Sequence, residues 1–558
     1  NGNDFTSSGL TSADQMLDTP TDNFPTFSNN IRGLESYSPS TLTWGNSVNI
    51  SDGGLKVIGA TAGANLAGAT MAFPTSGKYY FEATFIGADT SFFGISPLYD
   101  ESKIVWYRNN GWTLQNATSW TTSGGASYTN TDVLGVSVNM DDLEVKFYKN
   151  NALQITISLT AGVEYIPTAF GGNNTLGYTF NFGASAFTYT PPTGFVALST
   201  ANLPTPTITD GSANFQTTLY TGNGTAIGSG GLAVSQSENS TFQPDLVWIK
   251  ERNGAADHAL YDAVRGTTKD LASNNNSTET TETEGVTTFG SAGFTVGNLA
   301  KVNTSSDTYV AWQWKANGSG SSNEDGDINT TATSANTTAG FSMSTYTGNG
   351  SGSQTVGHGL GVTPSVVLIM PRSNGDHKLI SNWADGVTAF TEKMLLDTDQ
   401  AADSTGTTQI IGGSSSTFTI GTDPGVNGSG RTYVAYCWAE VEGYSKMGTY
   451  SGNGSTNGPF IYTGFKPAFF MVKREDSADN WAMYDAARDS FNVAEKYLLA
   501  DLTNAEATFS TAKVDFLSNG FKWRGAVNFG NNSSGTYVFM AFAEHPFGGD
   551  GVAPATAR

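Results

Sequence analysis

Two stretches of this chain set a carboxylate three residues ahead of a guanidinium, with the same neighbours around them: Tyr261-Asp262-Ala263-Val264-Arg265 and Tyr484-Asp485-Ala486-Ala487-Arg488. Such a pair can close on itself, or its planar guanidinium can hold a ligand carboxylate. The plainer reading is a structural contact that fixes a loop. Between the two copies the matching stretch reads Ser381-Asn382-Trp383-Ala384-Asp385, so the pair exists in two places of three. The four histidines, His258, His358, His377 and His545, fall in no metal-ligand spacing. His258 and His377 occupy roughly matching places, and both read as loop histidines with hydrogen-bond partners. Cys437 is the sole cysteine, so no internal disulfide framework exists, and it reads as a packed, inert thiol. Asn323-Glu324-Asp325-Gly326-Asp327 offers oxygen ligands for calcium but lacks the rest of an EF-hand loop, and reads as a solvated linker. No Gly-x-Ser-x-Gly elbow appears in a plausible context. The Gly-Asn-Gly turns lack the lysine and the strand-to-helix setting of a phosphate loop. The sequence therefore assigns no catalytic residue, no metal and no cofactor.

Binding is better represented than catalysis. Trp106, Tyr107, Trp112, Trp120 and Tyr128 cluster in a stretch rich in Gly, Asn, Ser and Thr. Aromatic faces among small polar residues suit sugar stacking or protein contact. The alternative is that two or three of them cap a sandwich core.

These residues must be positioned by strands. A cassette near the end of three successive blocks alternates large apolar residues with smaller ones: Thr308 to Lys315, Thr432 to Ala439 and Thr536 to Ala543. Val310, Trp312 and Trp314 share one face, as do Val434, Tyr436 and Trp438, and Val538, Met540 and Phe542. Alternation with period two marks a strand with at least one buried face. Each block opens on a Tyr-[Thr/Ser]-Gly-Asn-Gly turn, and the distance from its tyrosine to the cassette tyrosine (Tyr220 to Tyr309, Tyr346 to Tyr433, Tyr450 to Tyr537) is 89, 87 and 87 residues. Register held over that length predicts homologous blocks. A further strand follows a proline in each (Pro244, Pro364, Pro467), and another lies at Gly293–Val296, Thr417–Ile420 and Gly520–Trp523. The best helical candidate is short, Asn492 to Leu499.

The chain has 558 residues and a net charge of −22 with no basic block, which argues against binding nucleic acid through phosphates. No apolar run approaches the roughly 18 residues of a membrane helix, and no signal peptide is visible. The first residues, Asn1-Gly2-Asn3-Asp4, include no methionine, so either an upstream segment was removed or the numbering starts inside a longer product.

Residues 25–200 carry a resemblance. Gly77-Lys78-Tyr79-Tyr80-Phe81-Glu82, Phe93-Gly94-Ile95-Ser96, Asp132-Val133-Leu134-Gly135-Val136, Val145-Lys146-Phe147-Tyr148-Lys149-Asn150-Asn151 and Tyr165-Ile166-Pro167-Thr168-Ala169-Phe170 come in an order that resembles a SPRY domain. The resemblance implies a bent β-sandwich that binds proteins through its loops and has no catalytic residues. Where that family has Asn-Gly in a hairpin turn, this chain has Asn150-Asn151. Asp18 to Phe24 and Pro191-Pro192-Thr193-Gly194-Phe195 are similar to segments that frame this domain in structural proteins of tailed phages, and the later blocks resemble modules of marine tailed-phage virions.

The expected architecture is all-β: a lead-in arm (1–24), a SPRY-like sandwich (25–200), three homologous sandwich or jelly-roll-like repeats (212–316, 340–441, 445–547), a flexible or surface-lying spacer (317–339) and a loose tail (548–558). The expected function is that of a virion adhesion protein, a tail fibre, spike or capsid-attached appendage outside the cell. Its expected partners are copies of itself in a homo-oligomer such as a trimer, other virion proteins, and a host-surface glycan or protein, with no membrane insertion. The alternatives are a secreted bacterial glycan-binding adhesin and a polysaccharide depolymerase.

Overall fold

The computed structural model describes residues 22–28, 31, 48–59, 65–98, 103–115, 120–121, 124–171, 173–381, 392–404, 408–549 and 552–556. Most of the lead-in arm, and the middle-block stretch after Ser381, lie outside them. The chain divides into two compact units, residues 1–205 with 548–554, and residues 206–547 with 555–558.

The first unit is a sandwich of two antiparallel sheets. One runs in the order Phe27–Ser28, Asn65–Ala69, Tyr165–Gly171, Phe92–Pro97, Val105–Arg108, Thr113–Gln115, Trp120–Thr121. The other runs Ala152–Ser158, Glu144–Lys149, Val133–Asn139, Lys78–Ile86, Gly177–Asn181, Lys56–Gly59, Val48–Ser51, with Val196–Ala197 pairing Lys78–Ile86 in parallel. The sequence places its strands well here because the apolar residues alternate and small or amide residues end each run. Asn150 and Asn151 have φ of 46° and 68°, so both centres of the hairpin turn are left-handed, as a type I′ turn requires. Asn150 also caps the turn, its Oδ1 accepting from Val133 N at 3.0 Å. The residues after Phe547 are not a loose tail: Gly548–Pro554 belongs to this unit, and Gly549 N donates to Thr200 O at 3.0 Å.

The second unit holds three blocks, taken here as 206–316, 317–441 and 442–547. Each centres on its cassette strand (Thr308–Trp314, Thr432–Trp438, Thr536–Pro546), flanked by the block's opening strand on one side and by the strand associated with the proline on the other. Register is the same each time: Tyr220 faces Tyr309, Tyr346 faces Tyr433 and Tyr450 faces Tyr537. A three-stranded sheet covers one face of each main sheet. The spacer expected over 317–339 is built into block two. Ala332–Asn336 is the edge strand of its main sheet, Ser321 bridges Thr333, and Ile328 is buried. Asn492 to Leu499 is not helical; its second half, Lys496–Leu499, is a strand paired with Ala482–Asp485. Among the described residues the α-helices are single turns, Ala300–Asn303, Pro424–Asn427 and Asn528–Asn531.

Blocks one and two each have a core of their own, and all three blocks share a larger one. In blocks one and two, Tyr309, Ala311, Tyr433, Ala435 and Cys437 face the block's own three-stranded sheet. The opposite faces, with Val310, Trp312, Trp314, Val434, Tyr436 and Trp438, join Met540 and Phe542 of block three in one continuous apolar cluster. The cassettes are thus buried on both faces. Within the cluster is a small void of about 10 Å³, walled by residues of all three blocks, among them Trp248, Trp314, Leu368, Trp438, Phe469 and Met540.

Candidate functional site

The sandwich of the first unit sorts the five aromatic candidates by burial. Trp106 is 1% exposed; its Nε1 donates to Ser96 Oγ at 2.9 Å and to Thr168 Oγ1 at 3.2 Å, and its ring stacks on Phe92. Tyr107 is fully buried with its hydroxyl on Ala126 O, and burial followed by the nearby Asp132 pushes that hydroxyl up to about 12. Tyr128 is also buried, its hydroxyl 2.8 Å from that of Tyr178 and 3.0 Å from Tyr107 O. These three residues cap the core and present no face to solvent. Trp120 starts a two-residue edge strand, and its side chain lies outside the described residues.

Trp112 differs. It is half-buried on the turn that joins Val105–Arg108 to Thr113–Gln115. Gly111 makes this turn possible: its φ is +89°, and a Cβ there would lie 2.2 Å from Gly125 O. Arg108 N donates to Trp112 O at 2.8 Å, and the Arg108 guanidinium lies 5.6 Å from the Trp112 ring centroid. Arg108 Nη2 donates to Thr90 Oγ1 at 3.1 Å, and Asn110 Oδ1 accepts from Trp112 N at 3.1 Å. The product is a cation stacked on an aromatic ring, ringed by amides and hydroxyls. It can stack on a sugar or a planar side chain and hydrogen-bond its rim. Arg108 was not singled out from sequence; the signal was a lone arginine inside an aromatic stretch.

In the second unit the repeated Asp–Arg pairs are joints between blocks. Arg265 Nε lies 2.5 Å from Asp262 Oδ2, and Arg488 Nε 2.6 Å from Asp485 Oδ2, all four side chains fully buried. Burial works against the Arg265 charge, but Asp262, Tyr436 and Glu279 outweigh it and hold the guanidinium protonated. Each carboxylate also reaches the cassette of another block: Tyr436 Oη donates to Asp262 at 2.6 Å, and Trp312 Nε1 donates to Asp485 at 3.1 Å. Met540 stands where Trp312 and Tyr436 stand and offers no donor. The matching middle-block stretch, Asn382 to Asp385, carries no Asp–Arg pair in sequence and lies outside the described residues.

Further contacts close the blocks into a ring. A strap of block one grips block two through Arg372, whose Nε and Nη2 donate to Glu279 at 2.8 and 3.0 Å. The same strap of block three grips block one through Arg252 and Glu506, at 2.9 Å twice. One register position sends a donor across every seam. His258 Nε2 meets Leu499 O at 2.9 Å, Lys378 Nζ meets Ser277 O at 3.2 Å, and Trp481 Nε1 meets Leu395 O at 2.9 Å. Register therefore matches His258 with Lys378 rather than His377. Because Trp248 Nε1 donates to His258 Nδ1, the imidazole is neutral with its proton on Nε2. Burial, then the charge of Lys250, holds its pKa down at about 3.

The remaining candidates are likewise engaged. His377 Nδ1 is 2.9 Å from Asp397 Oδ2, and His358 Nε2 is 3.1 Å from Ser414 O. Asn323 and Asp325 bond each other, and Asp327 bonds Thr355. Burial pushes the Cys437 thiol far up, which suits an inert side chain. The Gly-Asn-Gly turns are locks: Asn303, Asn427 and Asn531, all buried, accept from Asn223 N, Asn349 N and Asn453 N at 2.7, 2.8 and 2.8 Å.

Among solved structures, the chain is similar to the SPRY domain of human HERC1, with 17% identity over 24% of this chain and 90% of that one, at a TM-score of 0.21. It is also similar to the PSpry domain of TRIM65, with 10% identity over 28% of this chain and 90% of that one, at the same TM-score of 0.21. No curated protein matches it. A family model does match, over residues 210–546, which is more than half of the chain and takes in all three blocks; the chain belongs to the family described as Domain of unknown function (DUF7483).

Proposed function

We propose that this chain is an adhesive structural protein of a tailed-phage virion, a fibre, spike or capsid-attached appendage. In this reading its first unit binds a host-surface glycan or protein through the turn that carries Trp112. The carrying observation is the half-buried Trp112 with Arg108 stacked on it, at the one point of the aromatic cluster that meets solvent among the residues described there. The three blocks of the second unit are read as tandem copies of one module; their shared strand order and register support this. A ring of blocks clasped by partly buried ion pairs suits a rigid mount that holds a binding head and turns nothing over. The chain acts as a homo-oligomer alongside other virion proteins.

Two experiments test the reading. Electron microscopy of phage particles labelled against this chain is expected to place it on the particle surface, and its absence there would reject the virion role. The full chain should bind host cells, and Trp112→Ala should weaken that binding at least tenfold, with the melting temperature unchanged. Release of reducing ends from host capsule by the purified chain would replace this reading with a depolymerase.

A further inference from the structure

The three seams of the ring are built alike, and the differences between them single one out. In two seams a backbone pair is reinforced by an arginine–glutamate clasp. Glu279 N donates to Arg372 O at 2.9 Å and Glu506 N to Arg252 O at 2.7 Å, and the same residues join through their side chains. In the seam between blocks two and three the backbone bond survives, with Ala402 N on Glu475 O at 2.8 Å, but the clasp positions hold alanine and glutamate.

A second position differs in block three: Asp501 faces the same seam through Lys473 and Asp399, while the adjacent Ala500 O accepts from Ser273 Oγ of block one at 2.6 Å. Asn274, Asp397 and Asp501 are equivalent, each accepting from the main chain of the donor residue described above: His258 N at 2.9 Å, Lys378 N at 3.1 Å and Trp481 N at 3.0 Å. The other half of each side chain has its own partner in two cases. Asn274 Nδ2 donates to Asp257 at 2.7 Å, and Asp397 Oδ2 meets His377 at 2.9 Å. Asp501 Oδ2 is buried with no hydrogen-bond partner among the described residues, in a residue 4% exposed. Lys473, fully buried on the strand Phe465–Arg474, holds the seam by donating to Asp399 O of block two at 3.0 Å, and it also donates to Asp479 O of its own block at 2.6 Å.

We propose that this seam is a proton-operated hinge: loss of the Asp501 proton loosens the strap of block two from block three, while the two clasped seams stay shut. The charged groups facing Asp501 are Lys473 in its own block and Asp399 on the strap; Lys473 in turn faces Asp479, Asp399 and Arg474. Burial holds the Asp501 carboxyl at about 6, with only the Trp481 N–H, its own backbone N–H and Lys473 to oppose it. The closed form therefore keeps a proton that an open form releases, and closure weakens as pH rises from about 4 to about 6.

Amide exchange on the full chain reads each seam separately, after correction for the intrinsic effect of pH. The amides of Ala402 and Asp479 cross the hinge seam, and those of Glu279 and Glu506 cross the other two. Between pH 4.5 and pH 7, opening at Ala402 and Asp479 should rise roughly tenfold or more relative to Glu279 and Glu506. Asp501→Asn, which installs the residue block one uses, should abolish that rise. Ala402→Glu with Glu475→Arg, which installs the missing clasp, should slow opening at both pH values. An equal pH response at all three seams would overturn the hinge, as would a response that persists in Asp501→Asn.

Discussion

At the scale of single residues, buried polar groups in the second unit are spent on holding it together. His258 accepts from the Trp248 indole and donates to a carbonyl of another block, so protonating it sets a new Nδ1–H against the Trp248 N–H in the buried core of block one. Burial holds its pKa at about 3 in the folded chain, below the ordinary imidazole value of 6.5, so the unfolded chain takes up the proton first. Stability contributed by His258 is complete above pH 6.5 and is lost as pH falls toward 3, by up to about 1.4 kcal/mol per pH unit. Asp501 has the opposite sign between about 4 and 6 and partly masks this loss. His258→Gln should flatten the acid limb of a melting-temperature curve, and Asp501→Asn should steepen it while raising stability at pH 7. The amide locks are a second test. Asn427 accepts from Asn349 N and donates to Gly421 O with no exposure, so Asn427→Ala leaves orphaned main-chain groups and should cost about 2–4 kcal/mol in chemical denaturation.

Strands and straps decide how much of this could be read in advance. The alternation of Val310, Trp312 and Trp314 identifies a strand and its large-residue face, because period two is a local property. It does not say what that face meets, and here it meets two other blocks. Trp106, Tyr107 and Tyr128 illustrate the reverse ambiguity: aromatic residues among small polar ones look exposed in sequence, but their hydroxyl and indole groups find partners inside the sandwich. The clasp of Arg252 with Glu506 spans 254 positions, and nothing local to either residue announces it. The match of His258, Lys378 and Trp481 hides for another reason: geometry preserves an N–H donor there while the chemistry carrying it changes. The Asp–Arg pairs were legible as structural contacts, but their reach to Tyr436 and Trp312 was not. Removing the carboxylate strips a buried guanidinium of its nearest counter-charge, leaving Arg488 only the longer 3.4 Å contact with Glu506, so Asp485→Ala should cost about 3–5 kcal/mol. Replacing both partners, with Asp485→Leu and Arg488→Met, should cost less, as read by denaturant midpoint.

For the whole molecule, a core shared by three blocks means that no block has a complete interior of its own. The second unit should therefore melt as one cooperative transition in calorimetry rather than as three. Met540→Ala in the third block should lower the midpoint of all of it, as amide exchange in the Val310 and Val434 strands would report.

The clasp between Arg252 and Glu506 has a consequence for biosynthesis. A ribosome delivers the first partner some 250 residues before the second, and Leu499 O, which His258 requires, arrives nearly as late. Until then the nascent first block shows Trp312 and its neighbours to the cytosol, a greasy flank with no lid. The closing segment around Glu506 thus works as a keystone set last, and a message truncated shortly before it would yield a chain that chaperones retain.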